Sequence, residues 1–303
     1  MQQFSLHTHT LGFDGHQNEE QMMSKAVQIG FKALGISNHF IVHPKIKEAK
    51  MYAYALKGGY QNIYSASFAE ALEKFKPHYD KIDEFRAVSP IPIYKGMEVD
   101  FFSYDGWRQG FEEVLKILKP DYIIGSAHFV DHKNKLNNVH DLKNATKEEQ
   151  NLLLHRYWQN IRATAQSGLF DFMAHLDLPK KCGVGQSEQW KDEEIATIET
   201  LQKSGVAVEL NTSYFKSGIL GIGRNEPYPG PRIMKLLAQY KIPVLISDDA
   251  HDVARLGDHF KETEIQAKKC GITKFLDLRD KPLSTTKTFG KFMTEKNLSG
   301  ESR

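Results

Sequence analysis

Short apolar runs alternate with amphipathic stretches along the whole chain. The apolar runs are QFSL (3–6), ALGIS (33–37), IPIYKGM (91–97), YIIGS (122–126), FDFMA (170–174), VAVEL (206–210) and PVLIS (243–247). Each is of strand length and bounded by turn signals. Between most of them, apolar residues recur at helical spacing. EEQMMSKAVQIG ends on Gly30, NLLLHRYWQNIRATAQSG on Gly168 and DEEIATIETLQKSG on Gly205, each glycine suited to a helix C-cap. WRQGFEEVLKIL stops before Pro120, and GPRIMKLLAQYK carries Pro231 where a helix N-terminus tolerates it. Strand–helix alternation predicts parallel strands joined by crossover helices. Seven such units predict an α/β fold, a distorted seven-stranded (β/α)7 barrel of TIM-like type. An open doubly wound sheet is the alternative, but no GxGxxG or P-loop signature favours its nucleotide-binding form.

One region breaks the rhythm. More than fifty residues separate ALGIS from IPIYKGM. Their second part is a helical pattern rich in Phe and Tyr, and their first part, with Gly58-Gly59, reads as an irregular excursion. The expected organisation is a single barrel domain over 1–282, with a helical insertion at about 43–90 and a polar C-terminal tail at 283–303.

The bulk properties exclude several classes. With 40 basic and 38 acidic residues the net charge is +2, which gives no global reason to expect nucleic acid or an anionic membrane as partner. No run reaches the roughly 18 apolar residues of a membrane span. The N-terminus lacks the basic and apolar regions of a signal peptide. Cys182 and Cys270 match no zinc or redox spacing and read as free thiols. A cytoplasmic protein is expected.

The chemistry is concentrated at the ends of the apolar runs. QFSL is followed by His7 and His9, ALGIS by His39, IPIYKGM by Glu98, YIIGS by His128 and FDFMA by His175. VAVEL is followed by Asn211, and PVLIS by Asp248, Asp249 and His251. In a parallel barrel these strand ends share one face, where such folds place their active sites. One histidine there is an ordinary loop residue; the same placement at strand after strand predicts a metal centre. Imidazoles mixed with carboxylates suit Zn, Mn, Fe or Co, and about nine ligands suffice for two or three divalent ions. Paired ions are the usual apparatus for phosphoester hydrolysis.

These residues resemble the polymerase and histidinol phosphatase (PHP) superfamily. The resemblance rests on HTHT, ISNHF, GMEVDFF, GSAHFV, FMAHLDL, VELNTSYF, EPYPGPRIMKL and PVLISDDAH, in family order over residues 5 to about 255. GSAHFV, HLDLPKK, ELNTS and PYPGP are similar to its histidinol-phosphatase branch. The resemblance implies a distorted seven-stranded barrel with a trinuclear metal centre. One ion would take His7, His9, Glu98 and Asp249; a second would share Glu98 and take His128 and His175; a third would take His39, His251 and a residue of the first loop. The implied reaction is hydrolysis of L-histidinol phosphate to L-histidinol and phosphate, a step of histidine biosynthesis, by a metal-bridging hydroxide. Glu98, Asp249 and His251 would be its catalytic residues.

The chain departs from the family pattern at two positions. Where many relatives have a third histidine, six positions after His9, it has Gly15, leaving Asp14 or, as fallback, His16 for the third ion. Asn38 replaces the usual acidic residue before His39 and could orient its imidazole without the negative charge. A phosphate substrate also calls for a cation, for which Lys216 and Arg224 stand in suitable loops, while Asn211 could touch substrate or support the site. Lys180 and Lys181 fit a covering role at the barrel rim, and Asp248 a supporting one. His16, His43, His132, His140 and His155 read as non-ligands. The expected partner is a small phosphorylated substrate. The alternatives are a phosphoesterase acting on another small phosphomonoester or on nucleic acid, and a non-catalytic barrel that has lost its metals.

Overall fold

The structure, a computed structural model, describes residues 2–132, 135–216 and 225–276, the side chain of Lys216 excepted. The tail expected at 283–303 lies outside the described residues. Seven parallel strands form a nearly closed barrel: β1 (Phe4–Ser5), β2 (Ala33–Ile36), β3 (Ile93–Asp100), β4 (Tyr122–Ser126), β5 (Phe172–Met173), β6 (Ala207–Asn211) and β7 (Val244–Ser247). One strand comes from each of the seven apolar runs.

Side chains and loop backbone close the seam between β1 and β7. Past the strand ends, His9 N–H donates to Ala250 O at 2.9 Å and Ala250 N–H to His7 O at 3.2 Å. Near the strand starts the Gln2 amide stands in for a strand backbone: Ile246 N–H donates to Gln2 Oε1 at 3.0 Å, and Gln2 Nε2 donates to Ile246 O. The metal-capable HTH segment is therefore part of the closure.

Inside, Phe4, Leu6, Tyr94, Tyr122, Ile124, Phe172 and Leu245 belong to one small apolar cluster. Tyr122 fixes its neighbours' size. A Cβ on Gly35 would lie 2.2 Å from the Tyr122 hydroxyl and one on Gly96 2.2 Å from its ring, so β2 and β3, the two successive strands on one side of this tyrosine, need glycine there. The larger core lies outside the barrel, beneath helices Glu19–Gln28, Trp107–Leu118, Lys147–Gln166, Lys191–Ser204 and Pro231–Gln239. The Gly205 cap is left-handed, and Pro231 opens its helix, as their positions predict.

Three features differ from the sequence expectation. The excursion before the insertion's helix is not irregular: Lys50–Gly58 is α-helical, because the glycine pair ends a helix, with Gly59 left-handed at its C-cap. Next, β3 runs through Asp100, so Glu98 lies within the strand and not after it. A further strand, His39–Val42, extends that pairing and sets His39 beside Glu98 in register. Finally, Phe129–His132 and Lys135–Asn138 form an antiparallel hairpin after β4. The insertion's long helix, Phe68–Val88, buries Ala71, Phe75, His78, Tyr79 and Ile82 along one face. Among the described residues no helix is long and apolar enough to cross a membrane, and both cysteines are free.

Candidate metal centre

All nine residues expected to ligate metal converge at the C-terminal mouth of the barrel. Glu98 lies at the middle, fully buried. Its Oε2 faces His39 Nδ1 at 2.7 Å, His7 Nε2 at 3.3 Å and His9 Nε2 at 3.7 Å. Its Oε1 faces His175 Nε2 at 3.0 Å and His128 Nε2 at 3.4 Å. One carboxylate thus serves two sets of imidazoles, one per oxygen. Asp249 Oδ1 lies 3.0 Å from His9 Nε2 and 3.5 Å from His7 Nε2. Asp14 stands among His9, His39 and His251, at 3.5, 3.1 and 3.2 Å.

The first loop's geometry separates Asp14 from His16. A Cβ on Gly15 would sit 2.4 Å from the His9 carbonyl oxygen, so no side chain fits at that position. The loop directs Asp14 inward, while the His16 side chain is 69% exposed and pairs with Asp252.

In each of three compact groups the donor atoms lie within 4.8 Å of one another: His9, Asp14, His39 and His251; His7, His9 and Asp249; His39, Glu98 and His128. The grouping differs from the simple partition that the family resemblance implies, since His9 and His39 each stand in two groups. The donors of a tetrahedral ion, each about 2.1 Å from it, are themselves about 3.4 Å apart, and the contacts of 2.7 to 3.7 Å between these side chains bracket that spacing. Buried His7 Nε2, both His9 nitrogens, Asp14 Oδ1, His39 Nδ1, Glu98 Oε2, His175 Nδ1 and Asp249 Oδ1 have no hydrogen-bond partner among the described residues. Seven of these, all but His175 Nδ1, face one another at the mouth, and so many buried atoms without a hydrogen bond would be costly in an ordinary core. They suit divalent cations.

Two carboxylates that the sequence did not single out orient this set. Glu209, in β6, accepts from His7 Nδ1 at 2.8 Å, from His175 N–H at 3.0 Å, from Asn211 Nδ2 at 2.6 Å and from Ser247 Oγ. That fixes His7 with its proton on Nδ1 and turns Nε2 toward the centre. Asp100 does the same for His128, accepting its Nδ1–H at 2.7 Å along with the backbone N–H groups of His128 and Phe129. The available signal was the strand period of two, which sets Asp100 on the face of Glu98 and Glu209 on the face of Asn211. Asn211 itself spends its amide within the protein, donating to Glu209 and Asp249 and accepting from Ser213 N–H. These bonds suit the supporting role considered for it. Asp249 holds a left-handed backbone, φ 51°, unusual for a residue other than glycine. Asp248 turns the other way, accepting from Ser5 Oγ and Gly257 N–H, and burial pushes its carboxyl up to about 7.

Of the expected substrate cations, Arg224 and the Lys216 side chain lie outside the described residues. Lys181 is a cation that the structure does place. Burial lowers its ammonium pKa, against the pull of Cys182, Asp249 and Glu98, so its charge lies within the field of the centre. It makes no hydrogen bond or ion pair among the described residues. Lys180 is instead consumed, donating to Pro227 O at 2.6 Å beneath Tyr214 and Tyr228.

Burial opposes protonation of His7 and His39, but the surrounding carboxylates outweigh it and raise both well above the ordinary imidazole range. Burial likewise opposes ionisation of Glu98, yet His39, His7 and His128 hold its carboxyl well below the usual range. An imidazole must shed its proton to bind metal. Metal affinity is therefore expected to fall as pH drops through the raised histidine values. Calorimetric titration of chelator-stripped protein in buffers of different ionisation enthalpy should show proton release on metal uptake.

A mouth of this kind on a seven-stranded parallel barrel makes this an α/β barrel protein with a candidate metal centre at its C-terminal face. The PHP domain matches residues 5–213, and the chain belongs to that family. It is 27% identical over 213 residues to "Probable histidinol-phosphatase" of Deinococcus radiodurans, covering 69% of this chain and 77% of that one. It is 24% identical over 298 residues to the protein of the same name from Schizosaccharomyces pombe, covering 89% and 87%. The histidinol phosphate phosphatase of Lactococcus lactis, solved with zinc, L-histidinol and phosphate, superposes with a TM-score of 0.65 at 13% identity, covering 90% of this chain and 95% of that one.

Proposed function

We propose that this protein is a metal-dependent phosphomonoesterase that hydrolyses L-histidinol phosphate to L-histidinol and phosphate, a cytoplasmic step of histidine biosynthesis. The observation that carries this is the set of buried imidazole and carboxylate atoms that face one another around Glu98 in a PHP barrel without hydrogen-bond partners. The names of the two curated relatives, and the L-histidinol and phosphate in the Lactococcus lactis structure, support the substrate. His7, His9, Asp14, His39, Glu98, His128, His175, Asp249 and His251 would hold two or three divalent ions, with zinc, manganese and iron as the candidates.

When bound, the ions would activate water at neutral pH and neutralise the phosphoryl oxygens. Glu98 ties the two sides of the centre together through its separate oxygens. Glu209 and Asp100 hold His7 and His128 in the tautomer that presents Nε2. Lys181 supplies a protein cation to the substrate phosphate.

The test is phosphate release from L-histidinol phosphate, compared with nucleotide release from a single-stranded oligonucleotide, by protein stripped with chelator and resupplied with Mn, Zn or Fe. Histidinol phosphate should be cleaved, the activity lost on stripping and recovered with metal. Cleavage of the oligonucleotide alone would sink the proposal. In the same assay Lys181→Ala should raise KM roughly tenfold, the lower end of what a charge-assisted hydrogen bond contributes, with the metal content unchanged.

A further inference from the structure

His78 is the polar member of the apolar stripe on the insertion's helix, and at 7% exposure it is buried. It reaches the centre through Asn38. Asn38 and Thr10 each adjoin a residue of the centre, Asn38 preceding His39 and Thr10 following His9. Thr10 N–H donates to Asn38 Oδ1 at 2.8 Å, which fixes the orientation of the Asn38 amide. Its Nδ2 then has two protons to give. One goes to Thr10 Oγ1 at 2.9 Å and the other to His78 Nε2 at 2.9 Å.

His78 Nε2 must therefore accept, so its proton sits on Nδ1, which donates to Glu19 Oε1 at 3.2 Å. The Thr10 hydroxyl donates to that same oxygen at 3.3 Å. Lys81, also from the insertion's helix, pairs with Glu19 Oε2 at 2.7 Å. Burial opposes the Glu19 charge, but His78 and Lys81 bring its pKa down to about 2. In these contacts donors and acceptors match around the ring. The insertion also grips the first loop directly, through Asn62 Nδ2 to Gly12 O at 2.8 Å.

We infer that His78 is a positioning residue for the ion group of His9, Asp14, His39 and His251, acting through Asn38 and Thr10 to lock together the two segments that carry His9 and His39. The inference rests on the metal reading above. It gives the insertion a role that apolar packing alone would not require, and it accounts for Asn38. An aspartate there has no proton for His78 Nε2, whereas the amide satisfies both neighbours.

The test is metal titration of chelator-stripped protein with Mn or Zn, with ions counted per chain and the melting temperature of the stripped form measured alongside. His78→Leu should lose one ion, its dissociation constant raised roughly 10- to 100-fold, while the remaining sites hold. Asn38→Ala, which removes the other partner without placing an apolar group in the ring, should do the same and serves if His78→Leu fails to fold. His78→Gln, whose carbonyl oxygen can accept from Asn38, should stay close to wild type. Folded His78→Leu and Asn38→Ala proteins that bind every ion as tightly as wild type would overturn this inference alone. Wild-type protein that takes up no metal would overturn the proposed function.

Discussion

Replacing Glu98 with glutamine is expected to lower the hydrolysis rate by about 10³-fold or more, some 4 kcal/mol of barrier, and to remove more than one ion per chain. Both consequences follow from where its oxygens point. Oε2 faces His39, His7 and His9, and Oε1 faces His175 and His128. The amide keeps the shape but offers a single acceptor, and its NH2 group would turn toward a cation or an imidazole lone pair. The negative charge is lost from both sides of the centre, and whichever way the amide rotates, one side also loses its acceptor oxygen. Metal analysis after dialysis against limiting Mn or Zn reads the loss of ions, and a melting curve shows whether the variant is folded. A folded Glu98→Gln protein that retains the wild-type ion count would mean that Glu98 does not link the two sides.

The contrast between Glu98 and Glu209 shows which parts of this site were legible. Glu98 stands directly after the apolar run IPIYKGM, and the other expected ligands likewise stand at or beyond the ends of apolar runs or, with Asp14, in the first loop. Their positions at strand ends follow from barrel topology, so the sequence could place them on one face. Glu209 lies inside VAVEL, where a single charge among apolar residues reads as a surface position unless the strand period of two is used to set it on the face of Asn211. Its contacts with His7 and His175 come from strands distant in sequence. The choice between Asp14 and His16 depended on a contact between Gly15 and the His9 backbone that no spacing rule encodes. The insertion was readable as helix from its periodicity, and His78 looked like one more core position. Its connection to Asn38 spans forty residues and belongs to tertiary packing. Lys181 read as a rim residue, and it is only half-buried; its place in the field of Asp249 and Glu98 depends on how the turn Leu178–Cys182 folds back.

Glu209→Ala is expected to have the second-largest effect, and its signature differs from that of Glu98. Glu209 is fully buried and takes four donors: His7 Nδ1, the His175 N–H, Asn211 Nδ2 and Ser247 Oγ. Truncation leaves these donors in a dry cavity, and breaking a buried charge pair in this way costs about 3–5 kcal/mol. It also frees the His7 ring to rotate or change tautomer, which should weaken the ion held by His7, His9 and Asp249 by roughly 100-fold, the upper end for loss of a residue behind a ligand. Glutamine separates the two consequences. It refills the cavity, but its NH2 group must face donors on one side, so part of the stability returns while the His7 orientation does not. The expected order of melting temperature is therefore wild type, Glu209→Gln, Glu209→Ala, with both variants well below wild type in metal affinity. Burial works against the Glu209 charge, but His7 and then His175 hold its carboxyl below the usual range. The stability it gives the metal-free protein is thus present above the ordinary carboxylate range and lost as pH falls through the lowered value. A melting temperature of stripped wild type that stays flat on acidification through that range, or a Glu209→Gln protein that binds metal as wild type does, would show that Glu209 only fills space.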